Sequence, residues 1–153
     1  MRFNLLPLLC LTFATTNAFY NPVLAQSTSN MTVVVNGIKS ESGRVCFRVY
    51  SSDQGFPFSN KSEVQSGCVE KTGSVVKKQF VGLKPGNYAV TVIDDSNRDG
   101  KLNTDFLGIP QEGFGVSNNP TVSITTGTPK FSKASFSLNK NTVINIRMKY
   151  SLD

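Results

Sequence analysis

Five of the chain's ten acidic residues, Asp94, Asp95, Asp99, Asp105 and Glu112, fall in one segment, DDSNRDGKLNTDFLGIPQE, with only Arg98 and Lys101 as counter-charges. Carboxylates crowded in this way repel one another unless water, basic side chains or a cation relieves them. The spacing suits a cation. Asp95, Asn97 and Asp99 occupy positions 1, 3 and 5 of a DxNxDG motif, Gly100 at position 6 allows a sharp turn, and Lys101 at position 7 offers its backbone carbonyl. Hard oxygen ligands alternating like this can wrap one side of a Ca²⁺ ion. The motif departs from a helix-loop-helix calcium site at position 12, which is Phe106 instead of a bidentate Glu, so a closing ligand has to come from Asp105, Glu112, Asp94 or elsewhere in the chain. The competing reading is an Asp/Asn/Gly turn held by its own side-chain hydrogen bonds, for which the residue mix is equally suited.

Other chemistries are narrowed by what the chain lacks. With no histidine, it has neither the base of a Ser-His-Asp or Cys-His system nor the usual imidazole ligand of zinc. Two carboxylates can still work as acid and base on a glycan, and Asp95 with Glu112 are the pair to consider. No tryptophan is present to stack on a sugar. Beyond the acidic segment, GIPQEGFGVSNNP is too rich in Gly, Pro and Asn for a regular element, and it carries Ile109, Pro110 and Phe114 close to Phe106. These four either pack beneath the loop or line a ligand groove. Phe56 and Phe58, flanking Pro57, are expected to cap one end of the fold.

The elements that position these residues read as β-strands, because apolar residues recur at every second position and no long stretch has helical periodicity. Strands are expected at about 31–38, 43–51, 67–71, 74–81, 87–94, 133–138 and 142–150. Lys84-Pro85-Gly86-Asn87 suggests a type II turn leading into a hairpin. Short strands at this spacing point to an all-β, about seven-stranded antiparallel sandwich, prealbumin- or immunoglobulin-like, with a long acidic loop. In RVCFRV the apolar Val45, Phe47 and Val49 share one face, which leaves Cys46 on the other with Arg44 and Arg48; Cys68 points outward in the same way. The two cysteines are therefore expected to form a disulfide.

The N-terminus explains why an oxidising compartment is expected. Arg2 precedes a short apolar stretch, and Val23-Leu24-Ala25 offers a cleavage site, so residues 1–25 read as a secretory signal and 26–153 as a single domain. No further segment is apolar and long enough to span a bilayer. Arg2 is the signal's one charged residue, so the exported part is one unit less basic than the chain's net +6. Its lysines and arginines are scattered along alternating strands and not clustered with aromatics, which argues against a nucleic-acid partner.

The segment VGLKPGNYAVTVIDDSNRDGKLNTDFLGIPQEGFGVSNN, together with VVVNGI, GRVCFRVYSS and the closing INIRMKY, resembles the bacterial family called domain of unknown function 2141. That resemblance implies a small protein exported to the periplasm or beyond, and no assigned activity. A shorter stretch is also similar to transthyretin-like and B-type surface-protein sandwich modules. The expected role is a non-enzymatic module that binds a ligand or protein, with Ca²⁺ at the acidic loop as its one expected cofactor. A purely structural envelope module is the alternative, and a carboxylate-based glycan enzyme comes third. Processing is directly measurable: N-terminal sequencing of exported protein should start at or near Gln26, and a full-length, membrane-retained product would overturn the assignment.

Overall fold

The computed structural model describes residues 27–39 and 42–153; the expected signal lies outside the described residues. The chain forms β1 (Ser29–Asn36), β2 (Arg44–Tyr50), β3 (Glu63–Glu70), β4 (Val75–Leu83), β5 (Gly86–Asp95), β6 (Phe114–Val116), the short helix α1 (Phe131–Ala134), β7 (Phe136–Leu138) and β8 (Thr142–Arg147). A three-stranded sheet runs β4-β1-β8, and a larger sheet runs β3-β2-β5-β6, with β7 paired to the first residues of β5. The fold is all-β, two sheets facing each other. Met31, Val33 and Val35 of β1 meet Val45, Phe47 and Val49 of β2 and Val90 and Val92 of β5 in one core. Each strand contributes every second side chain, as a pleated backbone requires.

Several local expectations differ from the structure. β1 and β8 run parallel, from Met31↔Thr142 to Asn36↔Arg147, not antiparallel. Alternation assigns side chains to faces; strand direction depends on how the chain returns, which alternation does not encode. The type II turn is absent, since Gly86 has no positive φ and already belongs to β5, while Gly82 takes φ 71°. β4 and β5 consequently lie in different sheets instead of forming a hairpin. Lys133 and Ala134, where the expected strand at 133–138 would begin, belong to a helical turn, and β3 begins at Glu63.

The strand missed by pattern is β6, inside the Gly-rich GFGV stretch. It pairs with β5 through Ile93↔Phe114, Val92↔Gly115 and Thr91↔Val116. On its other side Phe114 and Lys149 exchange N–H···O=C bonds of 2.8 and 2.7 Å, so β6 joins the two sheets along one seam. A Cβ on Gly115 would stand 2.6 Å from Ile146 Cγ2 and 2.8 Å from Val92 Cγ2, closer than atoms pack. The glycine that hides the strand from its sequence pattern is what lets it fit.

The outer face of the larger sheet is not simply solvated. Cys46, Tyr50, Ala89 and Asp95 all point outward yet are buried, because the segments after β2 and β5 fold over them as a partial third layer. Cys46 and Cys68, directly opposed on β2 and β3, are joined by a disulfide. Closing a loop of that length, with the cysteines 22 residues apart, contributes about 3 kcal/mol by the chain-entropy model. The Tyr50 hydroxyl donates to the Pro57 carbonyl at 2.9 Å, and its ring meets Phe56, which meets Phe131 edge-on. Phe56 thus caps this end, whereas Phe58 stays exposed.

Gly115→Ala should therefore cost about 1–3 kcal/mol, the usual range for overpacking a core. Thermal melting checks this; an unchanged melting temperature would mean the seam does not depend on the close approach of β6.

Candidate functional site

The acidic segment begins where β5 ends, and the pleat sends its first two carboxylates to opposite faces. Asp94 points inward, aligned with Val90 and Val92. It accepts from the Lys71 ammonium, from the Tyr150 hydroxyl, and from Ser96 Oγ at 3.4 Å. The Lys71 and Asp94 side chains are both fully enclosed. Tyr150 also accepts the Lys39 N–H at 2.8 Å. Gly113 lies against this cluster, where a Cβ would come within 2.6 Å of the Tyr150 ring. Neither Lys71 nor Tyr150 was singled out from sequence, although parity gave a signal: Lys71 continues the inward phase of Val69, opposite an inward Asp94.

Asp95 points outward, opposite Arg44. Its Oδ2 accepts from Arg44 Nε at 2.7 Å and from the Gly100 N–H at 3.1 Å. Its Oδ1 is buried and has no partner among the described residues. Two arginines of β2 also hold the loop backbone, Arg44 donating to the Arg98 carbonyl and Arg48 to the Gly100 carbonyl, both at 3.0 Å. Left-handed φ values at Arg98 and Gly100 produce the curl. Arg98 then reaches Glu70 through two bonds of 2.9 and 2.8 Å. These bonds hold the Glu70 carboxyl below its ordinary pKa and push the Arg98 guanidinium above its own.

Around the curl, Asn97 Oδ1 accepts the Asp99 N–H at 3.1 Å and Asp99 Oδ1 accepts the Lys101 N–H at 2.8 Å. The Asn97 and Asn103 amides both donate to Asp99 Oδ2 at 3.2 Å. The Asp99 carboxyl lies below its ordinary pKa, chiefly because of the Lys101 N–H and further because of the two amides. Asn103, at position 9 of the motif, thus belongs to the cluster; counting on from Asp95 in steps of two would have found it. Glu112 clamps the neck of the loop by accepting the Ser96 and Asn103 N–H groups at 3.2 and 3.1 Å. Asp105 stands apart, capping its own turn through the Leu107 and Ile109 N–H groups. Lys101 is exposed at the rim. The sulfurs near Asp95 belong to the disulfide and offer no thiolate to a metal.

Beside the acidic loop lies a groove of about 840 Å³ over the outer face of β2 and β5. Phe58, Leu107, Ile109, Pro110 and Ile124 wall it, and Cys46, Ile93 and Phe114 lie along its base. Three of the four residues expected at a ligand loop, Ile109, Pro110 and Phe114, are therefore brought together. Phe106 is not part of the lining and is 95% exposed.

Removing one partner of a buried ion pair leaves the other charge uncompensated, which costs about 3–5 kcal/mol. Lys71→Met should lower stability by that order in a denaturant or thermal melt, and adding Asp94→Leu should recover most of the loss. A single variant that melts like wild type would show that the pair does not hold this end of the sandwich together.

Comparison with known proteins places the chain. Neither the curated proteins nor the solved structures contain a match. A family model described as "Uncharacterized protein conserved in bacteria (DUF2141)" matches residues 33–145, a span that holds β2 to β7, the disulfide, the acidic loop and most of the groove. The chain belongs to this family of uncharacterised bacterial proteins.

Proposed function

We propose that the protein is an exported, non-enzymatic binding module that takes a small apolar molecule in the groove beside the acidic loop. The observation that carries this reading is the groove itself. Its volume falls within the range of about 300–1,000 Å³ usual for small-molecule sites, and apolar side chains from three separate segments converge on it. Phe58, Leu107 and Ile124 stand exposed around it, and apolar side chains gathered in one place on a surface mark an interaction site more often than scattered ones do. The disulfide across β2 and β3 suits export to an oxidising compartment.

A non-enzymatic role fits the way the candidate acid and base are used. Asp95 is buried against Arg44, and Glu112 spends both oxygens on backbone N–H groups, so neither is poised over a substrate. Without histidine the chain lacks the side chain that most often serves as general base.

Titration with 1-anilinonaphthalene-8-sulfonate tests the groove. Its fluorescence should rise on binding the native protein, and Leu107→Asp or Phe58→Ser should weaken that binding about tenfold, or about 1.4 kcal/mol. Both positions are exposed, so the melting temperature should hardly change. Equal binding by wild type and variants, or none at all, would overturn this reading in favour of a structural envelope module.

A further inference from the structure

We infer that the curl at residues 95–103 is a Ca²⁺ site of weak, extracellular-type affinity, formed by Asp95, Asn97, Asp99 and Asn103. The inference is independent of the groove. It starts from Asp95 Oδ1, an anionic oxygen that is fully buried and has no partner among the described residues. Leaving such an atom without a donor or a cation is costly, which makes it a pointer to a ligand. Its twin Oδ2 accepts the Gly100 N–H, which sets the carboxylate against the curl that runs from Asp95 to Gly100. The other donors gather on the same curl, where the tips of Asn97, Asp99 and Asn103 meet at 3.2 Å.

The donor set selects the ion. Carboxylate and amide oxygens without thiolate or imidazole suit a hard cation, and residues at positions 1, 3, 5 and 9 of an Asp/Asn/Gly loop match the irregular coordination that Ca²⁺ accepts. Turning the Asn97 and Asn103 amides would present oxygen where they now present N–H to Asp99 Oδ2. Turning Asn97 gives up the bond from the Asp99 N–H to its Oδ1, while the Lys101 N–H on Asp99 Oδ1 and the Gly100 N–H on Asp95 Oδ2 still shape the turn. Affinity is limited by charge. Asp95 shares its carboxylate with Arg44, two donors are neutral amides, and Glu112 is held at the neck, so Asp99 is the one carboxylate of the set without an ion pair. A dissociation constant of about 10⁻⁴ to 10⁻³ M follows, the range of extracellular modules. Mg²⁺ should bind more weakly, since it demands octahedral geometry and releases water reluctantly.

The test is calorimetry and thermal melting of the disulfide-bonded protein with CaCl₂ up to about 10 mM, tenfold above the weakest affinity expected, with MgCl₂ at matched ionic strength as control. Wild type should give binding heat and a melting temperature that rises with Ca²⁺ by several degrees. Asp99→Asn, at an exposed position, should weaken binding at least tenfold and lower the metal-free melt only slightly, through the weakened bonds to the Asn97 and Asn103 amides. Asp105→Asn, in the separate turn, should bind as wild type does. Asp95→Asn should also lose binding, but its burial against Arg44 puts folding at risk, so Asp99 carries the decision. No heat and no shift in wild type would overturn the proposal, as would an Asp99→Asn protein that binds like wild type or an Asp105→Asn protein that does not.

Discussion

Two consecutive carboxylates end β5, and a pleated strand has to send them to opposite faces of the sheet. Both faces are covered at that point, so each carboxylate needs its own cation in a place where water cannot serve. Lys71, just past β3, answers Asp94 on the inner side, and Arg44 of β2 answers Asp95 on the outer side. These two pairings tie the ends of β2, β3 and β5 together. Through Tyr150 they also reach the chain beyond β8, and so the other sheet. An ion pair in this setting adds little net stability over a well-packed apolar pair; what it does is make the arrangement intolerant of alternatives, because a shifted register would strand a buried charge.

The outer pairing has a second consequence. Arg44 and its neighbour Arg48 each donate to a carbonyl of the loop, so the β2 surface serves as the base on which the acidic segment is laid out. Of the five nearby acids, Asp94 and Asp95 are answered by basic side chains from outside the loop and the other three by N–H groups of the loop itself, while Asp95 Oδ1 is the one buried side-chain oxygen among the described residues left without a partner. The layer laid over the sheet in this way also forms one wall of the groove. Loop and groove are thus parts of one construction, even though metal binding and ligand binding are separate propositions.

The seams show how a small sandwich limits its exposed edges. β6 bridges the sheets on one side. Just beyond it, Asn118 and Asn119 take left-handed φ values, and the Asn119 side chain pairs with β8 as a strand would, accepting the Arg147 N–H at 2.7 Å and donating to the Asn145 carbonyl at 3.2 Å. A side chain that occupies backbone groups in this way denies them to another chain.

The sequence alone determined the all-β class, the inward and outward phase of the strands that carry Cys46 and Cys68, the pairing of those cysteines and the concentration of acid after β5. All but the disulfide are local, since alternation and turn residues act within a few positions of themselves; the disulfide was legible because just two cysteines follow the expected signal, both facing outward. What tertiary structure decided is everything set by residues far apart in the chain. Strand direction did not follow from pattern, so β8 beside β1 came out parallel. β6 is a strand because neighbours on both sides supply its hydrogen bonds, and its glycine is there for Ile146 and Val92, some distance away in sequence. The outer face looked solvated because Arg44 and Arg48 alternate with apolar residues, yet those arginines are the base of a covering loop. The acidic motif suited a cation and a hydrogen-bonded turn equally. The tertiary structure separated its members, placing Asp105 in its own turn and Glu112 at the neck while drawing in Asn103, because Arg44 and Arg48 of β2 hold the loop backbone in a curl that decides which N–H and amide groups each carboxylate meets.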